Sequence, residues 1–452
     1  MTSFQGSRVL VVGLGVSGFA AARALLSLDA KVKVTESGAG PLVAERADGL
    51  RVLGAEVEIG GHDLDALDGD LAIVSPGISP KSDVMRTLRH AGVEIWSEVE
   101  LAFRLAECDF LAVTGTNGKT TTTSLLAAML EQGGVPSIAA GNIGLPLIDA
   151  IASVPRGGAI ALEVSSFQLA TIHRFRPRVA VLLNFAEDHT DWHGSLEEYA
   201  RSKARITENQ GPEDVFIPNA EDEWAMIVAG STTARVIPFS GRARPQGGIG
   251  PEEGRLRWDG GDIIDTAEVP LPGAPGLEDA AAAAGAALAY GVDVKAVARA
   301  IRGFRPLGHR MEVVAEAGGI TYIDDSKATN PHATLAAVRG LNEVVLIAGG
   351  RSKGIDLSSL ATTVPPVRAV IALGEATDEI ARIFEGRVPV ERASSMTEAT
   401  RLARARSVPG GSVLLSPGCA SLDMYESYAA RGEDFVRSVK TLIDEYWRGE
   451  GQ

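Results

Sequence analysis

The segment TGTNGKTT, residues 114–121, has the composition of a loop that holds phosphate groups. It follows the apolar run Phe110–Val113, a predicted buried strand, and precedes a predicted helix. Backbone N–H groups of such a loop point inward, and the helix N-terminus adds positive potential. Lys119 can reach terminal phosphates, and the Thr120 hydroxyl can bind Mg²⁺. Val113 stands where GxxxxGK[ST] has its first glycine, so the segment departs from the standard motif. A plain strand–turn–helix junction with an exposed lysine is the alternative, which Gly-Lys-Thr in this context disfavours.

A second glycine-rich turn lies near the N-terminus. Gly13, Gly15 and Gly18 follow a predicted strand at Arg8–Val12. Glu36 ends the next predicted strand. The three glycines and this acid together match the dinucleotide-binding fingerprint, in which the acid binds a ribose hydroxyl. The same geometry suits NAD, a UDP-sugar or another diphosphate on a ribose, and tight packing of helix on strand is a further explanation. A hydride-transfer enzyme needs no second phosphate loop, so NAD is the weaker interpretation.

Polar side chains follow the phosphate loop at the ends of two more predicted strands. Glu163 lies near the end of one strand, and a group of five follows the other: Asn184, Asp188, His189, Asp191 and His193. Carboxylate oxygen and imidazole nitrogen are competent ligands for Mg²⁺ or Mn²⁺. A lone histidine is more often structural, but five polar groups beside a phosphate loop favour a function. Tyr199 and Lys203 share one helix face, and Lys203 is otherwise an ordinary surface lysine.

Four further polar segments lie in the C-terminal third of the chain: 308–310, 324–330, 349–353 and 416–421. The last three follow predicted parallel strands, at the sheet edge where open α/β sheets bind ligands. Arg310, Lys327 and Lys353 supply local positive charge in an acidic protein. Such a site suits anionic ligands such as carboxylates or phosphates. Ordinary surface basicity is the alternative, but it does not explain why three of these segments follow predicted strands.

Short apolar strands alternate with helices throughout, which predicts an α/β fold with mainly parallel sheets. The pattern restarts twice, so we predict three domains: residues 1–106, Rossmann-like; 107–305, a P-loop α/β ATPase-like domain; and 306–452, Rossmann-like with a mainly parallel sheet. We predict a turn at Gly13–Gly18 followed by a helix at Phe19–Leu28, loop or weak strand over 241–276, and a helix at Asp279–Tyr290.

Charge and composition narrow the classes of partner. The 452 residues carry a net charge of −15, which disfavours nucleic acid and anionic membranes. The two cysteines, Cys108 and Cys419, imply neither a disulfide framework nor a metal-ligand spacing. No uncharged apolar run reaches about 18 residues, the length of a membrane-spanning helix. We therefore expect a cytoplasmic protein that binds neither nucleic acid nor membrane. We also expect a monomer.

Taken together, these motifs resemble the Mur ligase family over essentially the whole chain. The resemblance rests on SPGI at 75–78, TGTNGKTT at 114–121, GNIG at 141–144, EVSSFQL at 163–169, NxxxDH at 184–189, HG at 193–194, HR at 309–310, DSKATN at 325–330 and SPGCASLD at 416–423. It implies an ATP-dependent carboxylate–amine ligase whose three domains bind a UDP substrate, ATP and an amino acid. DSKATN and SPGCASLD favour D-glutamate as the amino acid and UDP-N-acetylmuramoyl-L-alanine as the acceptor.

The resemblance also implies roles for individual residues. For ATP they are Gly115, Thr116, Asn117, Gly118, Lys119, Thr120, Thr121, Asp279, Arg310 and Asp325. For the UDP substrate they are Val16, Ser17, Glu36, Ser37, Gly77 and Asn142, and for the amino acid Thr329, Lys353, Ser421 and Tyr428. Thr120 and Glu163 would hold one Mg²⁺ (or Mn²⁺), and His189 and a carbamylated Lys203 a second. Lys119, Glu163, His189, Lys203 and Lys327 are the residues expected to act in catalysis.

The sequence also departs from the family pattern. Both asparagines of an adenine-binding HNxxN segment are absent from 275–279, where Asp279 remains as an acceptor for the adenine amino group. Tyr428 replaces an apolar aromatic residue, and Asp324 replaces a common Asn. Three other hypotheses stay open: a different amino acid, a folylpolyglutamate-type substrate, and a non-catalytic nucleotide-binding relative.

Overall fold

The computed structural model describes residues 4–271, 273–305 and 308–449, without the side chains of 190, 191 and 446–449. The expected role of Asp191, and the start of the third predicted domain at 306, therefore lie outside the described residues. The described chain falls into two compact units. The first lies within Met1–Phe185, His189–Glu268 and Asp279–Gly303, and the second within Ala186–Asp188, Val269–Glu278 and Phe304–Gln452.

The first sheet of the first unit is five-stranded and parallel, in the order β3-β2-β1-β4-β5. The strand order reverses between β1 and β4, the position at which doubly wound sheets bind ligands. Its elements are β1 Arg8–Val12, α1 Val16–Ser27, β2 Lys31–Glu36, α2 Pro41–Val52, β3 Glu56–Ile59, β4 Leu71–Val74, α3 Asp83–His90, β5 Glu94–Trp96 and α4 Glu98–Leu105.

The second sheet of this unit is six-stranded and parallel, in the order β11-β10-β9-β6-β8-β7. Its central strands are buried on both faces, as expected of apolar runs in a parallel sheet. Its elements are β6 Asp109–Thr114, α5 Lys119–Gln132, β7 Ser137–Gly141, α6 Leu147–Ser153, β8 Ala159–Glu163, α7 Ser166–Leu169, β9 Val179–Leu182, α8 Thr190–His193, α9 Leu196–Ala204, β10 Val215–Pro218, α10 Glu223–Ala229 and β11 Arg235–Val236.

A small antiparallel sheet follows, formed by β12 Gly250–Glu252, β13 Arg255–Trp258 and β14 Gly261–Asp265. It occupies the segment predicted as loop or weak strand. Two helices come next, α11 Gly273–Tyr290 and α12 Val294–Gly303. Short 3₁₀ helices lie at Leu64–Ala66, Arg205–Thr207, Thr266–Glu268 and Ser358–Thr363.

The sheet of the second unit has the order β15-β16-β20-β17-β18-β19. Strand β15 is antiparallel to β16, and the other pairs are parallel. Its elements are β15 Glu312–Ala317, β16 Ile320–Asp324, α13 Pro331–Val338, β17 Val344–Gly349, β18 Val367–Leu373, α14 Thr377–Phe384, β19 Val390–Ala393, α15 Met396–Arg406, β20 Ser412–Leu415 and α16 Tyr428–Gly449. The α/β class and the mainly parallel sheets are confirmed.

Two helix boundaries predicted from the sequence are wrong. Helix α1 begins at Val16, inside the predicted turn, because Gly18 lets the first helical turn lie directly against the Gly13 carbonyl. Helix α11 begins at Gly273 rather than Asp279, since Pro275 is tolerated in a first helical turn. Asp279 therefore lies on a helix and not in a loop.

Each unit has its own hydrophobic core. One cluster in the first unit contains buried side chains from both of its parallel sheets, including Val9 and Val34 of the first sheet and Ala112 and Leu162 of the second. Separate clusters cover the two faces of the sheet in the second unit. Over the residues that can be described, no helix has the length and apolar character needed to cross a bilayer.

Candidate ligand-binding and catalytic sites

The segment 114–121 forms a strand–loop–helix corner between β6 and α5. Gly118 precedes the helix with φ +81°, a left-handed conformation that favours glycine. A side chain there would also collide with the Asp279 carboxylate. Asp279 in turn accepts a hydrogen bond from the Thr122 hydroxyl at 3.1 Å. The segment with the altered adenine motif therefore touches the phosphate loop itself, where a β-carbon at position 118 has no room.

Asn184, after strand β9, fixes the shape of this loop. Its side-chain oxygen accepts the backbone N–H groups of Thr116 at 3.1 Å and Asn117 at 2.8 Å. Its amide group donates to the Asn117 carbonyl at 3.2 Å. The sequence placed Asn184 among the polar groups of the site, and the structure gives it a definite task in shaping the loop.

Two lysine ammonium groups converge on the loop carbonyls. Lys119 donates to the carbonyls of Gly115 and Thr116, each at 2.9 Å. Lys203, 2% exposed, donates to the same Gly115 carbonyl at 2.6 Å and lies 4.6 Å from the centre of the Tyr199 ring. The alternative of a solvated surface lysine at 203 is therefore wrong. Two positive charges are therefore concentrated at this loop.

Glu163 ends strand β8, the neighbour of β6, and is 2% exposed. One carboxylate oxygen accepts from the Asn142 amide at 2.8 Å. The other is buried and has no hydrogen-bond partner among the described residues. An unsatisfied buried carboxylate oxygen is costly in a protein but suits a hard divalent cation. The residues present thus fit Mg²⁺ at this strand end. Thr120 lies in the first turn of α5, the helix that follows the neighbouring strand β6.

Aromatic rings surround the histidines that follow β9. Phe167 lies 4.8 Å from the ring of His189 and 5.5 Å from that of His193, measured between centroids. The His193 ring nitrogens contact the hydroxyls of Ser166 at 2.9 Å and Ser202 at 3.4 Å. His193 therefore links helix α7 to helix α9, the helix that carries Lys203. His189 has φ +53°, which is uncommon for a non-glycine residue and typical of constrained sites.

The N-terminal glycine turn is closed by Glu36. Its carboxylate accepts the backbone N–H groups of Leu14 at 2.6 Å and Gly38 at 2.7 Å. Burial alone would raise the pKa of Glu36, but these hydrogen bonds outweigh it and hold the pKa below its ordinary value. Gly77 follows β4 at the same edge, and Val16 and Ser37 are exposed near it.

Glu98, at the start of helix α4, is a further buried acid and is 2% exposed. One of its carboxylate oxygens accepts the backbone N–H of Ile148 at 3.2 Å, and the other has no hydrogen-bond partner among the described residues. Burial raises the pKa of Glu98. Ile148 belongs to helix α6, which follows the GNIG segment containing Asn142, so Glu98 ties α4 to that segment. Ser17, in the glycine turn, is half-buried.

In the second unit, Asp325 lies just past the end of β16 and is buried. It accepts from the Ser416 hydroxyl at 2.8 Å and from the Met311 backbone N–H at 3.3 Å. Burial raises the pKa of Asp325 to about 7. Arg310 lies next to Met311 in the segment that precedes β15.

The residues expected to hold the amino acid follow β16, β17 and β20 or begin α16. Lys327 lies with its ammonium 4.0 Å from the centre of the Tyr428 ring, so these two side chains are brought together. Lys353 lies 3.4 Å from the Asp188 carboxylate, which also contacts Asn330 at 3.3 Å. Thr329 is half-buried and Ser421 is buried.

His309, Glu312 and Asp324 place potential metal-ligating atoms within 4.8 Å of one another. The His309 ring nitrogen Nδ1 and an Asp324 oxygen, however, lie 2.7 Å apart in a hydrogen bond. Gly432 packs directly against both atoms, where a β-carbon would collide with them. The Asp at 324 thus makes a hydrogen-bonded pair with His309 that leaves a cation little space.

Three family profiles match the chain: the MurD-like N-terminal domain of Mur ligases over residues 7–97, the Mur ligase middle domain over 113–287, and the Mur ligase glutamate ligase domain over 309–419. A protein from Frankia casuarinae named UDP-N-acetylmuramoylalanine–D-glutamate ligase is 43% identical over 97% of this chain and 95% of its own. A protein of the same name from Geobacillus kaustophilus is 38% identical over 97% of this chain and 98% of its own.

Solved structures share the fold at lower identity. MurF from Acinetobacter baumannii superposes with a TM-score of 0.61 at 18% identity, covering 90% of each chain. UDP-N-acetylmuramate–alanine ligase from Thermotoga maritima gives a TM-score of 0.57 at 20% identity, covering 96% of this chain and 99% of its own. At such identities the likeness concerns the fold alone.

Proposed function

Because the chain belongs to the Mur ligase family, we propose that it is an ATP-dependent ligase that joins D-glutamate to UDP-N-acetylmuramoyl-L-alanine in peptidoglycan precursor synthesis. The observation that carries the proposal is the 43% identity, over 97% of this chain, to a relative of that name. The site supports it, because Glu163 is buried and the ammonium groups of Lys119 and Lys203 both contact the predicted phosphate loop.

The chemistry follows from the weakness of a carboxylate as an electrophile. Transfer of the terminal phosphoryl group of ATP to the acceptor carboxylate gives an acyl phosphate and ADP. The D-glutamate amine then attacks the acyl carbon, and the tetrahedral intermediate releases phosphate and a proton to leave the amide. Two anions must approach one another in the first step, so positive groups at the loop have to offset their repulsion.

The loop supplies much of this stabilisation. Its backbone N–H groups and the N-terminus of α5 would bind the β- and γ-phosphates, and Lys119 would exchange its loop carbonyls for phosphate oxygens. A divalent cation held by Thr120 and Glu163 would add charge neutralisation at the transferred group. His189 and Lys203 would bind a second cation. Lys203 could do so only after its amine has taken up CO₂ as a carbamate, because an ammonium group has no lone pair for a metal.

The remaining substrates would be bound at the other strand ends. The UDP moiety would bind where the strand order of the first sheet reverses, at Val16, Ser17, Glu36, Ser37 and Gly77. The muramoyl part would contact Asn142. Arg310, Asp325 and Asp279 would contact the nucleotide. D-Glutamate would be held by Thr329, Lys353, Ser421 and Tyr428, with Lys327 beside it. We propose a cytoplasmic monomer for this reaction.

The test is an ADP-release assay over a panel of UDP-muramoyl acceptors and amino acids. ADP should appear only when UDP-N-acetylmuramoyl-L-alanine, D-glutamate, ATP and Mg²⁺ are all present. Lys119→Ala should lower kcat by about 10³-fold or more, because it removes a charge aimed at the transferred phosphoryl group. Lys295→Ala, an exposed lysine on α12, is the matched control and should leave the rate unchanged.

Coupling to L-glutamate or to a folate-type acceptor would replace the D-glutamate assignment with the related ligase. Binding of the UDP substrate without ATP binding, measured by calorimetry, would instead indicate a non-catalytic relative with an impaired adenine site.

A further inference from the structure

Arg431 on helix α16 is a buried cation that the proposed function does not use; it is 2% exposed. Its guanidinium donates to the Ser326 hydroxyl at 2.9 Å, the Ser326 carbonyl at 2.8 Å and the Cys419 carbonyl at 3.1 Å. Among the described residues, all these acceptors are neutral oxygens and no carboxylate forms an ion pair with it. Burial lowers the pKa of Arg431 to about 10, so it remains charged at neutral pH.

The oxygens that Arg431 contacts belong to two ligand segments. Ser326 lies between Asp325 and Lys327 after β16, and Cys419 lies two residues before Ser421 after β20. Strands β16 and β20 are parallel neighbours, so these segments leave the sheet at one edge. Arg431 therefore connects the two segments.

The same network reaches the first turn of α16. The Ser326 hydroxyl accepts from Arg431 and donates to the Tyr428 carbonyl at 2.8 Å. The Tyr428 ring in turn lies against the Lys327 ammonium. One guanidinium thus fixes the backbone on both sides of the Lys327–Tyr428 contact.

The segment after β17 is attached to this framework as well. Arg351 and Ala420 exchange backbone hydrogen bonds, each of 2.9 Å. A β-carbon at Gly350 would lie 3.2 Å from Nη1 of Arg431 and would collide with the Ala420 carbonyl, so this backbone packs closely on the guanidinium. Lys353 follows in the same segment. The segments that carry Lys327, Lys353 and Ser421 are therefore all attached to backbone that packs against Arg431.

We infer that Arg431 is a positioning residue of the proposed amino-acid site, which fixes the segments bearing Lys327, Lys353 and Ser421 and adds a permanent positive charge beneath a dicarboxylate substrate. The inference rests on the proposed function. No carboxylate forms an ion pair with this charge among the described residues, although Asp423 and Asp324 interact with it electrostatically, so part of its field remains available to an anionic ligand in a poorly screened interior.

The test compares Arg431→Met and Arg431→Lys with the wild type in steady-state assays. Arg431→Met should raise the KM for D-glutamate about tenfold, because it removes both the positive charge and the hydrogen bonds that hold the segments of the site in place. Arg431→Lys keeps the charge but not the planar donor geometry, so its KM should lie between the two. The KM for the UDP substrate is the internal reference, since the residues proposed for it lie in the first unit.

Arg437→Met is the matched control, because Arg437 lies on the same helix but is exposed and paired with Asp434. It should leave both KM values unchanged. Ser326→Ala provides a milder perturbation should Arg431→Met not fold: it removes one acceptor of the guanidinium, and it should raise the KM for D-glutamate about threefold without moving the KM for the UDP substrate.

Equal shifts of both KM values, or a lower melting temperature with unchanged KM values, would show a purely structural role and overturn the inference. Wild-type protein that releases no ADP with D-glutamate would instead overturn the proposed function and this inference with it. The wild-type and variant assays thus separate the two failures.

Discussion

At the scale of single residues, Glu163 shows best what a side chain gains from its position. In the sequence, Glu163 is one of 58 acidic residues. Folding gives this one an amide donor on one oxygen and leaves the other buried without a partner among the described residues. That combination suits a divalent cation, and it differs from an exposed carboxylate, whose oxygens are hydrated by solvent.

We therefore predict that Glu163→Gln lowers kcat by about 10²-fold or more, since the amide keeps the shape but removes the charge and one oxygen ligand. The half-saturating Mg²⁺ concentration should rise in the same titration. Glu107→Gln, an exposed acid paired with Arg156, is the control and should behave as wild type. An unchanged Mg²⁺ dependence in Glu163→Gln would exclude this residue as a ligand.

At the scale of elements, Glu100 shows how a helix positions a loop. It lies on α4, is fully buried, and accepts the backbone N–H groups of His173, Arg174 and Phe175 at 2.9–3.0 Å. It also accepts from the Arg104 guanidinium at 2.6 Å. This turn leads from α7 into β9, whose end carries Asn184, so the bond stabilises the route between two parts of the site.

The charge of Glu100 predicts a pH-dependent contribution to stability. Burial would raise its pKa, but the hydrogen bonds from His173, Arg104 and the following N–H groups hold the folded-state pKa below the ordinary value of 4.5. The stabilisation is therefore complete above the unfolded-state pKa and is lost as pH falls through the lower folded-state pKa.

Glu100→Gln should accordingly lower the free energy of unfolding by about 2 kcal/mol near neutral pH, and the difference from wild type should shrink below about pH 4. Urea unfolding at a series of pH values measures both effects. Glu198→Gln, which breaks an exposed pair with Arg201, should cost at most about 0.5 kcal/mol. A constant difference at all pH values would contradict the argument from charge.

At the scale of the whole molecule, the chain forms two compact units, each with its own hydrophobic clusters. Units with separate cores can unfold in separate steps, and two-state behaviour is a property of small single domains. The buried side chains shared by both parallel sheets of the first unit, by contrast, favour their unfolding together.

Scanning calorimetry of the full chain should therefore give a van't Hoff enthalpy well below the calorimetric enthalpy, with the trace resolved into two transitions. Limited proteolysis along the heating curve would identify which unit is lost in each. Agreement of the two enthalpies would mean that the molecule unfolds as one cooperative body.

The sequence determined the parts of this protein that depend on local order. Apolar runs between glycine turns predicted the parallel strands, and TGTNGKTT predicted a phosphate loop without any tertiary contact. The family, and with it the expected chemistry, also followed from linear motifs, because residues in each motif lie within one strand–loop–helix unit.

Tertiary structure decided what depends on partners distant in sequence. Asn184 shapes a loop about 70 residues earlier, Asp279 packs on Gly118, and Arg431 reaches Ser326 across more than 100 residues. No spacing rule predicts these pairs, because burial and hydrogen bonding are set by how strands order in the sheets. The same lysine, acid or arginine is a surface charge or a site residue according to that order alone.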